Sequence, residues 1–172
     1  MNFIKRNLLF VGLSAILTFA FAVSANAQKN YEVLTGSALT KVVPKSFYFA
    51  GQSAETQMRN TAAAKIGTDR LILAGMVDTS GYSSEISGKY EGFFITDSPV
   101  KIGDQTLETG AYGFGFTTSG QIKFFDLSSK EILSAATQAD ADMKRPRPLQ
   151  MTSEAKGIRF YKGKNYVLVA PK

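Results

Sequence analysis

The chain has 172 residues, 44% of them hydrophobic, with 20 basic and 14 acidic side chains, a net charge of +6, and no His or Cys. Without imidazole, the one side chain that titrates unperturbed between pH 5 and 8, a Ser-His-Asp triad and imidazole metal ligation are excluded; without a thiol, so are a cysteine nucleophile, a disulfide and a lipobox anchor. The basic surplus is mild and spread along the chain, and no basic-aromatic motif accompanies it to argue for a nucleic-acid partner.

Residues 1–27 read as a cleavable signal peptide. Lys5 and Arg6 precede the apolar run Leu8 to Val23, and Ala25-Asn26-Ala27 forms an A-x-A site that makes Gln28 the first mature residue. A run of about 16 residues is short for a ~30 Å hydrocarbon core, and the small residues at its end favour cleavage over an uncleaved anchor. The expectation is a periplasmic or secreted protein with no stable membrane insertion after cleavage. Cleavage leaves 145 residues and removes two basic side chains and no acidic one, so the mature charge is +4. A chain of that length buries roughly 68–70% of its unfolded surface and rests on its core alone. Residues 28–45 are expected to be an N-terminal extended segment and 46–172 a single β domain.

Short runs of Phe, Tyr, Val, Ile and Thr separated by Gly, Asp, Ser and Asn clusters favour β structure. In chain order, "SAETQMRNTAAAKIG" (53–67) fits both periods. Met58, Ala62 and Ile66 lie at helical spacing, yet Met58, Asn60, Ala62, Ala64 and Ile66 line one face of a strand; the turn at Gly67-Thr68-Asp69 favours a strand from Met58. Leu71 to Val77 reads as a buried strand. Val100-Lys101-Ile102 and Gln105-Thr106-Leu107 flank a Gly103-Asp104 turn, and Phe114 to Thr117 pairs with Gln121 to Asp126 across Thr118-Ser119-Gly120. Residues 128–143 are expected to hold a helix of two or three turns, capped by Ser129, with Ile132, Leu133 and Ala136 facing in and Pro146 and Pro148 ending it. A closing hairpin joins Ile158 to Tyr161 with Tyr166 to Val169 across Lys162 to Asn165. About nine strands with at most one or two short helices predict an all-β, single-domain β-sandwich, with a small closed lipocalin-like barrel as the alternative.

Four strings invite a chemical reading. "VDTSG" (77–81) is similar to the aspartic-protease D-[ST]-G turn, but Ser80 stands where glycine should follow Thr79, and a strand end with an Asp/Ser/Gly turn accounts for Asp78. "GAYGFGF" (110–116) has the glycine spacing of a phosphate loop, but a hairpin follows instead of a helix. Tyr112, Phe114 and Phe116 alternate with small residues, so one face of this strand is aromatic and the other bare; aromatic strands favour the core. In "DADMKRPRPLQ" (140–150), Asp140 and Asp142 lack the glycine and distal glutamate of a calcium loop. The interleaved Lys144, Arg145, Pro146, Arg147 and Pro148 read as a solvated crossing whose arginines pair with Asp140, Asp142 or Glu154, or as a basic ledge that forks onto a carboxylate, phosphate or sulfate. Ser153 and Lys156 have S-x-x-K spacing without the companion motifs of penicillin-recognising enzymes, and read as a polar loop.

At "ITDSPVKIGDQTLETGAYGFGF" (95–116), Gly103, Leu107, Gly110 and Tyr112 form a G-x-x-x-L-x-x-G-x-Y hairpin that resembles one found in secreted bacterial β-sandwich proteins of unknown function. The wider segment from "VDTSGYSSEISGKYEGFFIT" through "KRPRPLQ" is similar to small uncharacterised exported proteins of soil bacteria. The resemblance implies a sandwich and an extracytoplasmic location, and it carries no catalytic residue.

The expected function is non-catalytic binding of a small molecule, glycan or envelope protein, with no cofactor and no metal. The candidate site combines exposed Tyr82 and Tyr90 with Arg145 and Arg147, and Asp78 beside them. Two alternatives remain: a carboxylate hydrolase using Asp78 and Asp97, which would need the two within about 5–10 Å, and a barrel holding an apolar ligand in its interior.

Overall fold

The computed structural model describes residues 31–172. The expected signal peptide, residues 1–27, and the first three residues of the segment after it lie outside the described residues. In chain order the elements are β1 (Tyr31–Val33), α1 (Gly36–Val42), β2 (Ser46–Phe49), β3 (Gln52–Ile66), β4 (Arg70–Val77), α2 (Ser84–Ser87) and β5 (Gly92–Thr96). They continue with β6 (Val100–Ile102), β7 (Gln105–Leu107), β8 (Gly110–Phe116), β9 (Gln121–Phe125) and β10 (Glu131–Ala136). The last four are β11 (Gln138–Ala139), β12 (Arg147–Glu154), β13 (Gly157–Gly163) and β14 (Asn165–Pro171).

The strands form two antiparallel sheets and no closed barrel, so the sandwich expectation holds and the barrel alternative does not. The first sheet runs β1, β3, β4, β5, β8, β9, β10, with β2 paired to β3; the second runs β12, β13, β14, β6, β7, with β11 paired to β14. Period-two alternation packs them together. Val100 and Ile102, Leu149 and Met151, Ile158 and Phe160, and Val167 and Val169 point from the second sheet at Ala62, Ile72, Phe94, Phe114 and Phe124 of the first. Phe94, Phe114 and Phe160 meet with ring centroids 5.2 and 5.5 Å apart around Phe160, and this aromatic knot fills the space between the sheets.

The first sheet is also covered on its outer face. Val77, Phe93 and Phe125 pack there against Val43, Phe47, Phe49, Ala54 and Tyr90. The neighbours Phe93-Phe94 and Phe124-Phe125 point to opposite faces, and all four are buried. This second layer answers what meets the bare side of "GAYGFGF". A Cβ on Gly113 would lie 2.4 Å from the Phe49 ring, and one on Gly115 would lie 2.0 Å from the Lys89 carbonyl oxygen. The aromatic side faces inward as expected: Phe114 is fully buried, and Tyr112 and Phe116 pack against the inter-sheet core.

Four local expectations need correction. Residues 28–45 are not uniformly extended, because Gly36–Val42 is a helix whose Leu39 and Val42 pack on the outer layer. The strand expected from Met58 begins earlier, at Gln52, and ends at Ile66; its pairing with β4 jumps between Thr56 and Thr61, so Met58 sits exposed on a bulge and not on the core face. Residues 128–143 hold no helix: they form β10 and β11, with Leu133 and Ala135 buried at strand spacing. Ser129, expected to cap that helix, is instead a left-handed turn residue with φ 71°, and the Asp126 carboxylate organises the turn by accepting from the Ser128 and Lys130 amides. The closing hairpin is tighter than expected, since Lys162 pairs with Asn165 and leaves only Gly163 and Lys164 as its loop.

Candidate functional site

Two turns from different sheets come together at one end of the sandwich. The β8–β9 turn is closed by the Thr117 amide donating to the Gln121 carbonyl at 2.8 Å, with Gly120 at φ 77°. The β13–β14 turn carries Gly163 at φ 61°. Between them, Pro146-Arg147-Pro148 enters β12, whose register with β13 shifts between Arg147 and Gln150. Proline fits there because the edge strand bulges and needs no ladder donor at that point.

These segments line an open groove of about 600 Å³. Its walls include Phe116, Thr117, Pro146, Arg147, Lys162 and Lys164, and no carboxylate lines it. Phe116 is held from below by Phe160, ring centroids 5.8 Å apart. Lys162 is already compensated: its ammonium pairs with Glu91, whose other carboxylate oxygen accepts the Phe116 amide at 2.9 Å. Arg147 and Lys164 make no salt bridge among the described residues.

The loop leading into the groove is clamped to the outer face of the second sheet. Asp140 accepts from the Tyr161 hydroxyl at 2.8 Å and from the Arg159 guanidinium at 3.4 Å, and its amide donates to the Lys164 carbonyl at 2.9 Å. Arg159 also pairs with Glu154 and lies 4.5 Å from the centroid of the Tyr166 ring. The Tyr161 hydroxyl and the Glu154 carboxylate hold its already high pKa higher still. Arg145 and Arg147 therefore take none of the expected pairings: Arg159 occupies Asp140 and Glu154, and neither arginine makes a salt bridge with Asp142. Arg145 and Arg147 are both exposed, but only Arg147 lines the groove.

The remaining predicted site residues lie elsewhere. Tyr82 is half-buried, its hydroxyl donating to the Gln52 carbonyl at 3.2 Å. It lines a separate groove of about 210 Å³ together with Asp78 and Glu55. Tyr90 is not exposed at all: it stacks on Phe49 with centroids 3.9 Å apart, and its hydroxyl has no hydrogen-bond partner among the described residues. Burial pushes that phenol well above its ordinary pKa. The structure thus brings Asp78 and Tyr82 to one groove, packs the buried Tyr90 ring edge-on against Tyr82 with centroids 5.4 Å apart, and places Arg147 in a different groove.

The expected pair of Asp78 and Asp97 does not assemble. Asp78 is exposed and accepts the Ser80 amide at 3.0 Å, which holds its carboxyl below the usual range. Asp97 accepts the Leu71 amide at 2.7 Å, at the far end of β4. At ~3.3 Å per strand residue, the length of β4 separates the two by about 20 Å. Ser153 and Lys156 flank the β12–β13 turn, where Glu154 pairs with Gly157, and share no helix face. Among the described residues no three acidic side chains gather as a metal site, and no helix is long and apolar enough to cross a membrane.

Sequence reasoning missed Phe116, Lys162 and Lys164 as groove residues. A Lys-Gly-Lys turn signals a hairpin, and nothing in its spacing says which other turn will meet it. Comparison with protein-family models, curated proteins and solved structures finds no match in any of the three.

Proposed function

We propose that this is an exported, non-catalytic binding protein whose ligand presents an anionic group to the groove beside Arg147 and Lys164. One observation carries the reading: the groove is lined by three cations and no carboxylate, and only Lys162 has a compensating partner. Arg147 offers a planar fork suited to carboxylate, phosphate or sulfate, while Phe116, Pro146 and Pro148 supply apolar surface for the body of a sugar or other small molecule. The exported location rests on the signal-like residues 1–27. The alternatives find less support, since Asp78 and Asp97 stand at opposite ends of β4 and the space between the sheets is filled by Phe94, Phe114 and Phe160.

The test is a titration with inorganic phosphate, sulfate and glucuronate at low salt, followed by amide chemical shifts, with glucose as the neutral control. Shifts centred on residues 116–118 and 162–165, weakened in Arg147→Ala and in Lys164→Ala, support the reading. Equal responses to glucose and glucuronate, or responses unchanged in both variants, overturn it.

A further inference from the structure

A third cleft, of about 300 Å³, lies between β3 and β12 where the two sheets meet. Its apolar lining comes from Leu34, Leu39, Leu149 and Met151, and its charged lining is Arg59 and Arg147. Leu34, Leu149 and Met151 are buried, whereas both arginines are exposed. No carboxylate lines the cleft, and neither arginine makes a salt bridge among the described residues.

Each arginine reaches the cleft on a β-bulge, one in each sheet. Arg59 lies in the 57–60 bulge of β3, which is pinned from within and from β4. The Thr61 hydroxyl donates to the Met58 carbonyl at 3.0 Å, the Asn60 amide to Gln57 at 2.8 Å, and the Gln57 amide to the Val77 carbonyl at 2.9 Å. Arg147 opens the β12 bulge. Bulges re-aim side chains, and these two bring like charges to one cleft, partly apolar and partly lined by Thr35, Thr61 and Gln150, without a counter-charge. Such an arrangement is relieved by an anion, and the apolar lining favours one that carries a chain.

We infer that this cleft binds a single-chain anionic amphiphile, its carboxylate or phosphate head between Arg59 and Arg147 and its short alkyl chain against Leu34, Leu39, Leu149 and Met151. A volume at the lower end of ligand pockets limits the occupant to one short chain. The site stands apart from the anion groove and shares only Arg147 with it, Arg59 belonging to the cleft and Lys164 to the groove.

The experiment titrates the protein calorimetrically with octanoate and octyl phosphate below their critical micelle concentrations, beside octanol and acetate. Binding of either amphiphile, about tenfold or more tighter than octanol and acetate, is expected, since a hydrogen-bonded charge contributes about one such factor. Arg59→Ala, at an exposed position, should weaken that binding about tenfold, and Lys164→Ala should leave it unchanged. Octanol binding as tightly as octanoate, acetate binding as tightly, or an Arg59→Ala protein that binds octanoate like the wild type would each overturn the inference. Phosphate binding lost in Lys164→Ala beside absent octanoate binding sinks the cleft and spares the groove; octanoate binding lost in Arg59→Ala beside absent phosphate binding does the reverse.

Discussion

Replacing Gly113 by alanine tests the second apolar layer directly. The added Cβ would stand 2.4 Å from Phe49 Cε2 and 2.9 Å from Cδ2 and Cζ, against an ordinary carbon contact of ~3.5–4.0 Å. The ring must retreat by about 1 Å, and it has nowhere to go. It is fully buried, stacked on Tyr90 at 3.9 Å and met edge-on by Phe125 at 6.4 Å. Overpacking of this kind costs about 1–3 kcal/mol. Against it stands a gain of about 0.4–1 kcal/mol from a less flexible unfolded chain, because Gly113 is not among the positive-φ glycines. The net expectation is a loss of about 1–2 kcal/mol. At ~2–4 °C per kcal/mol for a chain of this size, Tm should fall by about 2–8 °C.

A double-mutant cycle makes the cause specific. Phe49→Ala alone should cost about 3–5 kcal/mol, and in that background Gly113→Ala should become neutral or stabilising, because the methyl enters the vacated space. Gly115→Ala behaves differently. Its Cβ would meet the Lys89 carbonyl oxygen at 2.0 Å, which is backbone, so trimming Phe49 cannot rescue it. Thermal and urea unfolding followed by near-ultraviolet circular dichroism read all six proteins, the four of the cycle and Gly115→Ala with and without Phe49→Ala. A Gly113→Ala protein within 1 °C of the wild type, or one whose cost persists in the Phe49→Ala background, would refute the packing argument (1 °C being about half the smallest expected shift).

Tyr90→Phe removes a buried hydroxyl that has no partner among the described residues, so it should raise Tm by about 2–4 °C, corresponding to about 1 kcal/mol, in a thermal melt. Glu91→Gln keeps an acceptor for the Phe116 amide but frees Lys162, so phosphate should bind the groove about 2–5-fold tighter with a steeper salt dependence by calorimetry. The Asp126 carboxyl is held below its usual range by the Ser128 hydroxyl and the Lys130 amide. A carboxyl depressed in the folded state contributes stability above its unfolded value of ~3.9 and loses it as pH falls through the lower folded value. The Tm difference between wild type and Asp126→Ala should therefore be constant above about pH 5 and shrink below about pH 4 in melts across that range.

The inner layer of the sandwich was legible because its signal is local. Val100 and Ile102, Ile158 and Phe160, and Val167 and Val169 alternate with outward residues, and that alternation alone marks each pair as part of a half-buried strand. The outer layer was not. Its trace is a loss of alternation: Phe93-Phe94, Phe124-Phe125 and Ala62-Ala63-Ala64 are buried on both faces, and consecutive apolar residues do not reveal what covers the second one. Tyr90 was misread for the same reason, since Lys89 and Glu91 on either side suggest solvent while its ring fills the layer over Phe49. The helix expected over 128–143 failed because Ile132 and Leu133 together mimic a helical face, whereas the shift of register between Glu131 and Leu133 turns Ile132 out as a bulge. At the site, Arg147 was legible from its flanking prolines. Lys162, Lys164 and Phe116 join it only through the meeting of two turns from different sheets, which no local pattern encodes.

The double cover of the first sheet also decides where a ligand can sit. With Phe49 and the Lys89 carbonyl against Gly113 and Gly115, and Phe160 against Phe114, the middle of β8 has no free face. Its last residue is only partly enclosed: the second sheet supports the Phe116 ring from one side with Phe160, and beyond that offers the two-residue turn at Gly163 and Lys164. The half-exposed ring of Phe116 gives an apolar wall to the groove that carries Arg147 and Lys164. The glycines of "GAYGFGF" thus act at a distance from the groove: by letting Phe49 and the 82–90 segment close over the middle of the strand, they leave exposure only at its two ends, and the Phe116 end is the one that meets the uncompensated cations.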